Sequence, residues 1–168
     1  MPLTDGELLL ERIPAPGPDN LRAWDAADEY LLRQLAEEQV QLAGVRVLVV
    51  NDSFGALAVA LARLAARVTS WNDSHHAELA LLRNLQLNGL PGEAVSFLPG
   101  DTDPGGTFDL VLVKFPKSLA WLQDSLLRLR PVLAGTTRLL AGGMIKHTPR
   151  RAFELLERCI GPTTTGLG

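Results

Sequence analysis

The sequence has one cysteine, Cys159, which excludes an internal disulfide and any cysteine-based zinc site. Within the helical run AFELLERCI it reads as a small buried hydrophobe rather than a reactive thiol. No apolar run approaches the ~20 residues a membrane span needs, and charges interrupt every candidate. The opening MPLTDGELLLER lacks the basic n-region of a secretory signal. There are three histidines; His75 and His76 are adjacent on a predicted helix, and His147 is far away in sequence. Adjacent helical side chains diverge by about 100°, so surface histidines are expected and no metal site. These absences point to a cytoplasmic protein with neither membrane nor metal partners.

A chain of 168 residues with 46% hydrophobic and 21% charged residues suits one soluble globular domain with a proper core. The net charge of −3 conceals an asymmetry. Residues 1–40 carry nine acids and three arginines, whereas residues 105–168 carry four acids and nine bases. A basic end on an acidic chain can steer a polyanion, although the same charges can simply solvate helix faces.

Along the chain, ELLLERI (7–13) reads as a first strand closed by the turn-rich PAPGPDN (14–20). Leu21, Trp24, Ala27, Tyr30, Leu31 and Leu35 recur at helical spacing and predict a helix over 21–38. Strands are expected at 45–50, 68–71, 94–98, 108–113 and 138–141. Helices are expected at about 55–66, from Ser74 to Asn88-Gly89, after Ser118, and from Thr148-Pro149 to about Ile160. Strands alternating with helices specify an α/β fold, a Rossmann-like, doubly wound, mostly parallel sheet. Residues 1–168 form one domain on this reading, with 1–40 as an N-terminal strand and helix appended to a core over 41–168. The ending GPTTTGLG supplies no further strand, as expected of a chain cut from a longer one or missing its last hairpin.

Ligands of such folds sit at the carboxyl ends of the strands. The first loop there is Asn51-Asp-Ser-Phe-Gly-Ala-Leu57, in a strand–turn–helix layout. A dinucleotide or S-adenosylmethionine turn needs several glycines, for the bend and for close approach of the ligand. Here only Gly55 is in such a place, and Ser53 and Leu57 stand at the other two. The residues available to a cofactor are Asp52, Gly55, Asp73 at ribose-binding distance along the chain, and Asp101 after the third core strand. A tight turn without ligand, with Asn72, Asp73 and Ser74 capping the next helix, accounts for most of the same residues.

The fourth core strand ends in Val113-Lys-Phe-Pro-Lys117. Amino-methyltransferases of this architecture carry Asn/Asp-Pro-Pro-aromatic there, whose oxygens accept hydrogen bonds from the target amine. Lys114 is a donor only, and Lys117 replaces the aromatic that would stack a flipped base. Two lysines beside a proline turn suit phosphate contact instead. With the basic C-terminal end they give Lys114, Lys117, Arg128, Arg130, Lys146, Arg150 and Arg151 as candidate phosphate contacts, which become RNA contacts if the resemblance below holds.

The stretches AWDAADEYLL, LVVNDSFGALAVAL, ELALLRNLQLNG, VLVKFPKSLAWLQDSLLRLRPVL and FELLERCIGPTTT together resemble one family. It is the N-terminal half of the bacterial ribosomal RNA guanine-N2 methyltransferases, of the type that acts on 23S rRNA. The resemblance covers essentially the whole chain. It implies a tandem duplication whose C-terminal copy binds S-adenosylmethionine and carries out catalysis. The N-terminal copy, by the same resemblance, supports recognition of 23S rRNA and the folding of its partner. No catalytic residue and no bound cofactor are then expected in these residues. Two alternatives stay open: an intact small methyltransferase using Asp52, Gly55, Asp73 and Asp101, and a purely structural partner of the catalytic half.

Overall fold

The computed structural model describes residues 2–3, 6–13, 21–64 and 66–166. Its elements in chain order are β1 (Pro2–Leu3), β2 (Gly6–Glu7), α1 (Ala26–Glu37), β3 (Arg46–Val50), α2 (Ala56–Arg63), β4 (Arg67–Asn72), α3 (His75–Leu87), β5 (Val95–Pro99), β6 (Leu110–Lys114), α4 (Leu119–Leu129), β7 (Arg138–Gly142) and α5 (Arg150–Cys159).

Two runs of consecutive apolar residues, Val47–Val50 and Leu110–Val113, are buried throughout, as strands covered on both faces must be. Pleating sends alternate side chains to opposite sides. Val47, Val49, Leu110 and Leu112 join α1, α2 and α3 in one core. Leu48, Val50, Val111 and Val113 join α4 and α5 in the other. The five-stranded sheet has the order β5-β4-β3-β6-β7, and every pairing in it is parallel. The chain starts at the centre, works to one edge, then crosses to the other. The switch in strand order therefore falls between β3 and β6, the place where doubly wound folds open a crevice.

The N-terminal strand is shorter than the sequence predicts. Only Gly6–Glu7 enters a ladder, antiparallel to Pro2–Leu3. Residues 8–13 lie along α3 instead, because two asparagines one helical turn apart supply the missing ladder. Asn88 accepts from the Leu9 amide at 3.1 Å and donates to the Leu9 carbonyl at 2.7 Å. Asn84 does the same for Glu11, at 2.7 and 3.0 Å. The predicted turn at 14–20 lies outside the described residues.

Helix α1 starts at Ala26, five residues later than expected, because Asp25 and Asp28 close a capping box there. Thr148 does not cap α5: Pro149 takes that position, and the Thr148 hydroxyl donates to the Met144 carbonyl. Ser118 caps α4 as predicted, with its oxygen accepting from the Trp121 amide. Cys159 is buried. Among the described residues no helix is long and apolar enough to cross a membrane, and no cluster of metal-binding side chains occurs.

Candidate functional site at the carboxyl edge of the sheet

Parallel register brings Asn51, Asn72 and Lys114 to one edge of the sheet, just beyond Val50, Trp71 and Val113. Asn51 has φ of 64°, a left-handed conformation that asparagine tolerates better than most residues. Its side chain donates to the Lys114 carbonyl at 3.2 Å, bridging β3 and β6. The bend aims Asp52 inward. Its carboxylate is 1% exposed and accepts from the Ala58 amide at 3.0 Å, with the Ala56 and Leu57 amides also directed at it. The first turn of α2, where orphan amides and the helix dipole attract a ligand's anion, is filled by the chain's own carboxylate.

Gly55 has a packing reason of its own. With φ of 77°, it lies against α3, and a Cβ there would sit 2.8 Å from Leu81 Cδ1 and 3.0 Å from Leu81 Cα. The glycine that looked like the remnant of a cofactor motif is what lets α2 and α3 approach. Leu57, at a position where a ligand-binding turn needs glycine, is fully buried in the core. Helical periodicity turns it away from the loop's open side. Ser53 is the exposed residue of this turn.

Lys114 is buried, with 11% of its side chain exposed. Its ammonium lies 2.7 Å from Asp28 Oδ1 and 3.4 Å from Asp25 Oδ2. Burial pushes the Asp28 carboxyl up to about 6 even against the pull of that lysine. Burial also raises Asp52, opposed by Lys114 and the α2 amides. Burial alone would depress Lys114, yet Asp28, Asp52 and Asp25 outweigh it and hold its ammonium above the usual lysine range. The result is an internal cluster of three acids around one base. Asp52 Oδ1 is buried with no hydrogen-bond partner among the described residues.

The β4–β5 end of the edge is closed. Asn72 donates to the Asp52 carbonyl at 3.2 Å and accepts from the Ser74 amide at 3.1 Å, so Asn72 rather than the Ser74 hydroxyl serves the start of α3. Asp73 is exposed, and its backbone packs against Gly100 so tightly that a Cβ on Gly100 would come within 2.8 Å of Asp73 Cα. Asp101 is exposed and accepts from the Thr102 hydroxyl at 3.2 Å. Arg128 reaches over both loops: it donates to the Gly100 carbonyl at 2.6 Å, pairs with Asp103 and Asp124, and lies 4.8 Å from the Trp71 ring centre. The β3–β6–β7 end is open, with a cleft of about 290 Å³ lined by Asn51, Ser53, Phe115, Pro116, Lys117 and His147 among others.

The chain matches the RLMG N-terminal domain over residues 1–168. It belongs to that family. The ribosomal RNA large subunit methyltransferase G of Pseudomonas putida is 51% identical over 161 residues, spanning 96% of this chain and 42% of the relative. The Pseudomonas aeruginosa protein of the same name matches to the same extent. Among solved structures, a precorrin 8w decarboxylase from Methanobacterium thermoautotrophicum superposes with a TM-score of 0.66 at 22% identity, covering 89% of this chain and 76% of its own. A SAM-dependent methyltransferase from Agrobacterium tumefaciens gives 0.63 at 19%, covering 79% and 50%. These two likenesses establish the methyltransferase-type Rossmann fold.

In this RLMG N-terminal domain the seven cations singled out from sequence do not form one surface. Lys114 and Arg128 are engaged internally, by Asp28 and Asp25 in one case and by the 100–103 loop in the other. Lys117, Lys146, Arg150 and Arg151 are exposed and follow the carboxyl ends of β6 and β7 in the chain; Lys117 lines the cleft, Arg150 pairs with Glu154 at 3.3 Å, and Arg151 lies between α4 and α5. Arg130 is exposed after α4 has run back to the opposite edge. Sequence reasoning missed Asp25 and Asp28, counted only as part of an acidic segment. Their one signal was the Asp-x-x-Asp spacing of a cap immediately before an amphipathic helix.

Proposed function

We propose that this chain is the non-catalytic, rRNA-recognising N-terminal domain of a cytoplasmic 23S rRNA guanine-N2 methyltransferase. Residues 1–168 act as one methyltransferase-like unit, and the S-adenosylmethionine site and the chemistry lie in the remainder of the parent protein. The observation that carries this is the Asp52 carboxylate filling the first turn of α2. A cofactor at that turn would meet a second buried negative charge where it needs free amides. The contact of Gly55 with α3, the closed Asp73–Gly100 approach and the Arg128 bridge leave the residues of this edge ill fitted to S-adenosylmethionine. Lys114 adds a further mismatch, because a donor-only side chain cannot accept a hydrogen bond from the guanine amine. The names of the relatives support the rRNA substrate of the parent.

Recognition is assigned to the exposed cations beside the cleft. Lys117→Ala with Lys146→Ala is expected to weaken binding of 23S rRNA fragments at every sequence. It should also lower the salt slope of log affinity by about 2, one for each lost phosphate contact. Unchanged affinity and slope would remove the assignment. The competing reading, an intact small methyltransferase, requires this edge to bind the methyl donor.

A further inference from the structure

The open end of the carboxyl edge holds more than its exposed cations. Its cleft of about 290 Å³ lies where β3, β6 and β7 end, close to the lower size limit of small-molecule pockets. Three kinds of group converge there. Phe115 and Pro116 present apolar surface, and Phe115 is held in place by an edge contact with Phe153, centroids 5.5 Å apart. Asn51 is committed through its amide nitrogen to the Lys114 carbonyl, so its side-chain oxygen is the part left to accept. The Ser53 hydroxyl is exposed beside it. Asp25, with 38% of its side chain exposed, adds a carboxylate to the same wall. At the rim stand the exposed Lys117 and His147, with Lys146 next in the chain.

Apolar surface for a flat ring, acceptors and a hydroxyl for its edge, and cations outside for phosphate are the requirements of one nucleotide lifted out of a stack. We propose that this cleft holds a single unpaired nucleotide of a single-stranded RNA segment. Its base lies against Phe115 and Pro116, its edge meets Asn51 and Ser53, and its phosphate lies at Lys117. The Lys114 ammonium at the floor is neutralised by its own carboxylates and orients the β6 end rather than attracting phosphate. A duplex keeps its bases stacked, so it engages the rim alone. This inference rests on the RNA-recognition reading and goes beyond it by naming a base-holding site.

The test compares the wild-type chain with Ser53→Trp, which fills the cleft from an exposed position, and with Arg130→Glu, a charge change at the opposite edge. Probes are a fluorescein-labelled single-stranded RNA oligonucleotide and a duplex of the same length, read by anisotropy. Losing one stacked base corresponds to about a fivefold or greater loss of affinity. That loss is expected for Ser53→Trp on the single strand, with duplex binding and the thermal melt unchanged and Arg130→Glu close to wild type on both. An independent readout needs no variant. Titrating guanosine 5′-monophosphate to millimolar concentration should shift the backbone NMR signals of Ser53, Phe115 and Lys117 ahead of all others. If wild type binds RNA but Ser53→Trp binds the single strand equally well, or the nucleotide shifts none of those signals, the cleft inference is overturned while RNA recognition stands. If the wild-type chain binds neither RNA, both fail.

Discussion

Replacing Lys114 with methionine keeps most of its volume and removes the one cation that faces Asp28 among the described residues. Breaking a buried ion pair from one side costs about 3–5 kcal/mol, and protonation sets the ceiling. At about pH 7.5, taking a carboxyl up as the neutral acid costs about 1.4 kcal/mol per pH unit above its ordinary value, about 5 kcal/mol in all. Asp28 already titrates at about 6 in the wild type, which uses roughly 3 kcal/mol of that ceiling. The further loss at Asp28 is then about 2 kcal/mol, and Asp52, deprived of the same cation, adds to it in the same direction, within the about 3–5 kcal/mol of a broken buried pair. The sign with pH follows from linkage. A carboxyl with a raised folded pKa binds its proton more tightly when native, so its burial opposes folding above about pH 6 and ceases to as pH falls towards the unfolded value. The deficit of Lys114→Met should therefore shrink to roughly 1 kcal/mol by about pH 5. Urea unfolding followed by fluorescence of Trp24, Trp71 and Trp121 reads both values. A deficit below about 1 kcal/mol at neutral pH, or one that does not change with pH, would refute the buried-cluster reasoning.

Asn84 is fully buried and holds the Glu11 backbone and the Phe54 carbonyl. Asn84→Leu should cost about 2–4 kcal/mol from the stranded polar groups, and hydrogen exchange at Glu11 should rise to the rate of a free segment. Gly55→Ala forces a Cβ into a left-handed position and against Leu81; a loss of about 2–3 kcal/mol is expected in thermal unfolding. Arg128→Met removes the hydrogen bond to the Gly100 carbonyl, the ring contact with Trp71 and ion pairs to exposed carboxylates that are worth little, so about 1–2 kcal/mol should be lost. Its sharper consequence is faster proteolysis within the 100–106 loop.

The sheet was largely legible because burial on both faces leaves a plain signature, four apolar residues in a row at 47–50 and again at 110–113. Local chemistry also read well where a single residue decides, as at the Ser118 cap and the Asn88-Gly89 helix end. The strand at 7–13 misread because its hydrogen-bond partners are side chains more than seventy residues later, on Asn84 and Asn88. A short apolar run before a turn cannot distinguish a ladder of amides from a ladder of asparagines. Lys114 misread for a related reason. A lysine beside a proline turn suits phosphate contact, whereas its neutralising acids arrive from the start of α1, nearly ninety residues earlier. Leu57 was assigned from a motif position, and the helix phase that actually sets its direction places it in the core.

Whether this edge accepts a methyl donor is measured directly by calorimetric titration of the chain with S-adenosylmethionine. We predict no saturable heat at micromolar to submillimolar cofactor, and the same result for Asp52→Asn, in which the amide oxygen still takes the α2 amides. Saturable binding at micromolar concentration by the wild-type chain would contradict it and return Asp52, Gly55, Asp73 and Asp101 to a working cofactor site.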